Sequence, residues 1–276
     1  MNNNIKQSLI FTALVIGLSY LVFWGPIALL KLRAANLVEG KIYNAPAFIF
    51  FVIGGFVPSL VGIVLTYFYE GKEGYKNLLK SAINIKIGLQ SITIILVYVL
   101  ALSSLQIILY TLIGGSFDFS QFIKQLPSIV PLIVLGPLSE EFGWRGFLQK
   151  RINIEFSTVK GSIIIGIVWS MWHLPLFFMI GTSQHDFNVP FINFMISVIC
   201  SSFIYTYLYI WSKGSLFAAL LLHWIATYFL QVITSQVKRT FTYNYLEFIP
   251  SLLITSIIIL FLVSMNSKQS KKNSVP

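Results

Sequence analysis

Charged residues are scarce in this sequence: 10% of its 276 residues are Asp, Glu, Lys or Arg, against about 25% in an average soluble domain. With 56% of residues apolar or aromatic, the chain cannot cover a water-facing surface in the usual way. That excludes an ordinary soluble fold and intrinsic disorder. A lone cysteine, Cys200, lies in an apolar stretch. It excludes an internal disulfide scaffold and reads as a packing residue. The two aspartates, Asp118 and Asp186, lie in loops, so an intramembrane aspartyl dyad is excluded. Neither an H-E-x-x-H zinc-protease motif nor a serine–histidine elbow occurs. No repeat of fixed period supports a solenoid or an inverted-repeat transporter. The charge imbalance is basic, 19 Lys and Arg against 9 Asp and Glu. Between long apolar runs, such an excess serves membrane topology and anionic headgroups, not nucleic acid.

What is present is apolar length. A helix needs about 20 apolar residues to cross a bilayer core of roughly 30 Å. Eight segments qualify, near 8–30, 46–69, 89–113, 127–149, 159–180, 191–212, 215–235 and 248–265. The fold class is therefore all-α, a polytopic membrane protein of about eight transmembrane helices. The first segment, preceded by Lys6, is longer than a signal-peptide core and reads as a retained span. With the N-terminus in the cytoplasm, 12 loop Lys and Arg fall inside and 6 outside, which orients both termini inward in a cell membrane. Between Lys72 and Ile87, Leu78, Leu79, Ala82, Ile83 and Ile85 alternate with Lys76, Lys80 and Lys86. This amphipathic pattern suits a helix lying on the inner leaflet. The polar tail from Asn266 to Pro276 reads as disordered. Tryptophans and tyrosines near span ends read as interfacial anchors.

Five ionisable residues fall inside spans: Glu140, Glu141 and Arg145 in the fourth, His173 in the fifth and His223 in the seventh. Three unpaired charges there would cost roughly 8–10 kcal/mol, so they must neutralise one another or sit around water. Glu141 and Arg145 stand i,i+4 with the acid N-terminal, the favourable order. Glu140 points about 100° away from Glu141 and is left to a cavity. Gly136-Pro137 should kink the helix, and Gly143 and Gly146 should let a neighbour approach. Trp169 and His173 share one helix face, as do His223 and Thr227. At 1.5 Å per residue, Glu141, His173 and His223 lie about 15, 20 and 12 Å deep, so they can meet. Such a set can activate water at a carboxylate and donate to an oxyanion. Alternatively, two histidines and a glutamate could hold zinc with one position open to water. Either arrangement hydrolyses an amide. His185, in an outer loop, reads as a surface residue.

Glu140-Glu141-Phe142-Gly143-Trp144-Arg145 reads E-E-x-x-x-R. It is followed by an aromatic-x-x-x-His pair, Trp169 to His173, and by His223 with Thr227 four residues later. This order resembles the CPBP family of intramembrane proteases, also called the type II CAAX prenyl protease or Abi family. The resemblance covers roughly 127–235 and implies an eight-helix endopeptidase with a conical intramembrane cavity open to the cytoplasm. It implies Glu140 as general base on a water shared with His173, with His223 and Thr227 stabilising the oxyanion. Glu141 and Arg145 complete the catalytic set. Members are labelled metalloproteases, and the metal set here would be Glu140, His173 and His223 around zinc. Two positions depart from the family pattern: Trp169 stands where Phe is usual, and Thr227 where Asn is usual.

The chain divides into N-terminal spans with the amphipathic helix (1–126), a helical core carrying the motifs (127–235), and a last span with its tail (236–276). The expected partners are the bilayer and a membrane-associated peptide or protein substrate, with no nucleic acid. Two other readings are a non-catalytic scaffold or bacteriocin-immunity protein on the same fold, and a proton-coupled transporter. The transporter is the weakest, because the acids cluster at one depth and line no path.

Overall fold

In the computed structural model, residues 2–36, 41–237 and 246–258 are described. Eight principal helices follow in chain order. They are α1 (Asn3–Leu29), α2 (Ala45–Ile83), α3 (Gly88–Leu112), α4 (129–155), α5 (Thr158–Phe178), α6 (Phe191–Trp211), α7 (Leu216–Thr234) and α8 (Ile249–Ile258). All but α4 and α8 are long and apolar enough to cross a membrane. Six of the eight expected spans are therefore helices of membrane length among the described residues, in an all-α fold. The segment read as the fourth span is broken into short α and π turns, and the eighth runs beyond the described residues. So does the C-terminal tail. The only pairing of strands described is a two-residue antiparallel ladder, Ala35–Asn36 with Lys41–Ile42. Large apolar side chains such as Leu21 (80% exposed) and Leu112 (79% exposed) face outward from the helices, as a multi-pass membrane protein requires.

Local chemistry sets the helix ends. Asn44 caps α2, its side chain accepting from the Ala47 N–H at 3.0 Å, and Ser215 caps α7 by accepting from Ala218. Within α2, Gly71 takes φ 69° and ψ −167°, a conformation that favours glycine. The break divides an apolar half of membrane length from an amphipathic half. In the second half Leu78 and Ala82 are buried with Leu216 and Leu220 of α7, while Lys72, Lys76 and Lys80 are exposed. The helix stops at Ile83, so positions 84–87 of the expected amphipathic stretch are not helical.

The core is built where α4 crosses α2. A Cβ on Gly62 would stand 2.6 Å from the Gly143 Cα, and one on Gly143 would stand 2.2 Å from the Pro58 carbonyl oxygen. The two helices touch backbone to backbone, the packing that small residues permit where lipid supplies no hydrophobic drive. Around this crossing sit Phe11, Trp24, Trp144, Phe147 and Trp172, each at most 2% exposed. Trp24 and Trp172 meet at a tilt with centroids 4.7 Å apart, and Trp144 meets Trp172 edge-on at 5.8 Å. Their polar edges are satisfied: Trp172 donates to Ser19 Oγ and Trp24 to the Phe51 carbonyl, each at 2.8 Å. Trp24 and Trp172 are thus core residues. Trp211, 39% exposed, stays at the surface.

Below the crossing, Glu70 accepts from Lys150 at 2.8 Å and from Arg151 at 3.1 Å. Arg151 also donates to Gln7 at 2.6 Å, tying α1, α2 and α4 together at one end. Burial pulls the Arg151 guanidinium down from the usual arginine range, and Glu70 opposes that pull.

Gly143→Ala should lower the midpoint of thermal unfolding in detergent, by an overpacking cost of about 1–3 kcal/mol. Gly55→Ala, where no atom lies within 4 Å of the added carbon, should leave the midpoint unchanged or raise it.

Candidate functional site

The site grows out of the irregularity of α4. Two π-helical stretches, Val134–Leu138 and Phe142–Gln149, flank one short α turn, Ser139–Glu141. Pro137 supplies no N–H to the helix ladder, and the Ser139 hydroxyl donates to the Gly136 carbonyl at 2.7 Å. The kink expected from Gly136-Pro137 thus takes the form of a widened helix. Such π turns recur at functional sites because they re-aim side chains. Trp224 of α7 donates to the Ile129 carbonyl, and Gln231 donates to Ser128 Oγ at 2.9 Å. Those bonds hold α7 alongside α4.

Glu141 and Arg145 are both fully buried. Arg145 Nη1 donates to Glu141 Oε1 at 3.3 Å and lies at ion-pair distance, 3.3 Å, from Oε2. Arg145 Nε and Nη2 find no hydrogen-bond partner. The guanidinium instead lies over the rings of Tyr205 (3.9 Å) and Trp169 (4.4 Å), whose π faces attract a cation. Glu141 Oε1 also meets His223 Nδ1 at 2.6 Å. One buried carboxylate therefore serves two basic groups from two helices.

Glu140 points elsewhere. Its Oε2 accepts from Trp169 Nε1 of α5 at 2.6 Å and from Trp144 Nε1 of its own helix at 3.2 Å. His173 lies at the end of the α-helical part of α5, its Nδ1 2.9 Å from the Trp169 carbonyl. The imidazole packs against Trp172 and Phe194 at 4.5 and 5.1 Å. The indole of Trp169 and its own carbonyl thus link Glu140 to His173. Thr227 lies one turn beyond His223 on α7. A Cβ on Gly136 would lie 3.6 Å from His223 Nε2 and 3.7 Å from Thr227 Oγ1, so both polar atoms border one small space beside α4. Glu141, Arg145 and His223 come together directly, Thr227 borders the same space as His223, and Glu140 and His173 join them through Trp169. His185 sits apart, 2.8 Å from Asp186.

The zinc set inferred from sequence does not assemble. Among the described residues no group of three His, Cys, Asp or Glu side chains is arranged to hold a metal ion. Each histidine engages Nδ1 with a protein acceptor, and Glu140 Oε2 takes two indole donors, which leaves both Nε2 atoms and Glu140 Oε1 without a protein partner among the described residues. Glu140, His173 and His223 are not gathered around one point among the described residues. Two cavities, of about 330 and 150 Å³, are both lined by Glu70 and Lys150 and lie toward the ion-pair end of α4. Sequence reasoning missed Trp144 and Tyr205 altogether and saw Trp169 only as an aromatic. The signal was available in part, because Trp144 stands i,i+4 from Glu140.

Comparison with known proteins follows the same residues. Positions 122–229 match the family described as type II CAAX prenyl endopeptidase Rce1-like. The CAAX prenyl protease 2 of Methanococcus maripaludis is 28% identical over 208 residues, 71% of this chain and 77% of that protein. The lysostaphin resistance protein A of Staphylococcus haemolyticus is 26% identical over 126 residues, 44% of this chain and 34% of that protein. The chain thus spans about a third of the second relative's length.

Replacing Arg145 with Met would leave Glu141 buried with only His223 to answer it. Breaking such a pair costs about 3–5 kcal/mol, and thermal unfolding in detergent should register a large loss. The double variant Arg145→Met with Glu141→Gln should recover much of that loss, because the buried anion is gone and His223 can rest as a neutral imidazole beside the glutamine.

Proposed function

We propose that this chain, whose residues 122–229 match the Rce1-like, type II CAAX prenyl endopeptidase family, is an intramembrane protease that works by the following chemistry. Glu140 is the general base for a water shared with His173, and that water attacks a peptide carbonyl of a membrane-associated protein or peptide. His173, donating from Nδ1 to the Trp169 carbonyl, keeps the Nε2 lone pair for that water. The carbonyl oxygen settles beside Gly136, where His223 Nε2 and Thr227 Oγ1 donate to it as negative charge develops. His223 then donates from both ring nitrogens as an imidazolium, with Glu141 as its counterion. When the C–N bond breaks, Glu140 passes its proton to the departing amine, and the products are a carboxylic acid and an amine.

The observation that carries this reading is the convergence of His223 Nε2 and Thr227 Oγ1 at Gly136, four residues before Glu140 on the same helix. It also fits the charge balance of a dry site. The negative charge leaving Glu140 as it takes the proton reappears on the oxyanion beside His223, so the buried cluster keeps its net charge. The relative's name makes a prenylated CAAX tail the first substrate class to test. The excess of cations in alternate loops supports both termini in the cytoplasm, and the Lys72–Lys80 side of α2 then lies along the inner leaflet.

A second reading, resistance or immunity without peptide cleavage, draws on the likeness to lysostaphin resistance protein A and on Thr227. Glu140→Gln separates the two. It should abolish cleavage of a farnesylated, internally quenched CAAX peptide while expression and membrane insertion persist. A variant that still cleaves removes Glu140 as base, and one that still confers resistance in cells supports the second reading.

Thr227→Val removes the hydroxyl at nearly constant volume and should lower kcat by about 100- to 1000-fold, the loss typical of one oxyanion donor. Thr227→Asn should preserve or raise activity. A large loss on that change would show that Thr227 serves a different geometry.

A further inference from the structure

We infer that Trp169 and Trp144 are positioning residues that clamp one oxygen of the Glu140 carboxylate and direct water to the other. The inference rests on the reading of Glu140 as base and adds how that base is aimed. Both indole N–H groups end on Oε2, at 2.6 and 3.2 Å. An indole nitrogen donates only, and an ionised carboxylate accepts only, so the two donors fix which oxygen is engaged. Oε1 takes no hydrogen bond among the described residues and is not one of the sealed polar atoms, and Glu140 keeps 7% exposure. The proton taken from water therefore lands on Oε1.

Neither donor can turn away. Trp144 is fully buried between Phe11 at 5.5 Å and Trp172 at 5.8 Å. Trp169 stands edge-on to Tyr205 at 5.6 Å and to His223 at 5.9 Å, with the Arg145 guanidinium 4.4 Å over its face. One indole thus gives its N–H to the base and its face to the cation that neutralises Glu141. Packing locks the donors, and the donors lock the carboxylate, the arrangement that holds reacting groups in productive geometry. A phenylalanine at 169 would keep the face and lose the donor.

That difference supplies the test. Trp169→Phe should lower kcat on the farnesylated CAAX peptide by about 10- to 100-fold, the range for losing one hydrogen bond to a charged group. KM and the unfolding midpoint should stay near wild type. Infrared difference spectra, each protein minus its Glu140→Gln counterpart, should show the Glu140 carboxylate stretch displaced in Trp169→Phe. Trp144→Phe, which removes the longer bond, should shift the same band less and serves as the readout if Trp169→Phe does not reach the membrane. An unmoved band in the Phe variants, or an unchanged kcat, overturns the clamp. So does a fall in stability that fully accounts for the lost activity. If Glu140→Gln itself cleaves, the base reading fails and takes the inference with it. If Glu140→Gln is inactive and Trp169→Phe is not impaired, the inference alone fails.

Discussion

A single buried anion constrains the rest of the molecule. Glu141 lies where no water reaches, and its Oε1 meets Arg145 of α4 and His223 of α7 at once. An isolated charge in such a medium costs several kcal/mol, so neither helix can shift without exposing that cost. The guanidinium is in turn short of hydrogen-bond acceptors, and the rings of Tyr205 and Trp169 complete its surroundings. That requirement draws in α5 and α6. Four helices are thereby referred to one carboxylate, and the reactive groups are arranged around it.

The same constraint explains why the middle of α4 is enclosed. Irregular backbone inside a bilayer is tolerated only where protein covers it, because lipid satisfies no carbonyl. The second π stretch of α4, Phe142–Gln149, buries Gly143, Trp144, Arg145, Phe147, Leu148 and Gln149. The backbone contact at Gly62 and Gly143 brings α2 close enough to seal one side, and α5 and α7 close others. Widening the helix turns Glu140 and Glu141 toward different neighbours, which two adjacent acids on a shared scaffold need if one is to be a counterion and the other a base.

The charged half of this arrangement was legible from sequence. Depth along the spans identified Glu140, Glu141, Arg145, His173 and His223, and the i,i+4 spacing paired Glu141 with Arg145. The glycines at 143 and 146 marked the close approach of a neighbour, which turned out to be two parts of α2, Pro58 and Leu78. What could not be read was donor direction. A tryptophan in an apolar run looks like packing whether or not its N–H has a target on another helix. A histidine in a string of letters does not disclose which ring nitrogen faces a carboxylate. That is why the zinc alternative stood beside the water mechanism until the helices were seen not to gather three such side chains around one point. The break at Gly71 was equally hidden, since the hydropathy change near residue 70 locates a boundary without stating how the chain turns.

Under the proposed mechanism, the two positions that depart from the family pattern act at opposite ends of one proton transfer. Trp169 adds a donor where phenylalanine has none, and it narrows the place where the proton can land. Thr227 offers a shorter donor than asparagine, but its hydroxyl rotates and can reach an acceptor across a wider arc. A tightly aimed base beside a loosely aimed oxyanion donor suits substrates whose carbonyl position varies while the attacking water stays fixed. Specificity in this chain would then come from where the substrate tail is held in the bilayer, and less from a rigid grip on the scissile carbonyl.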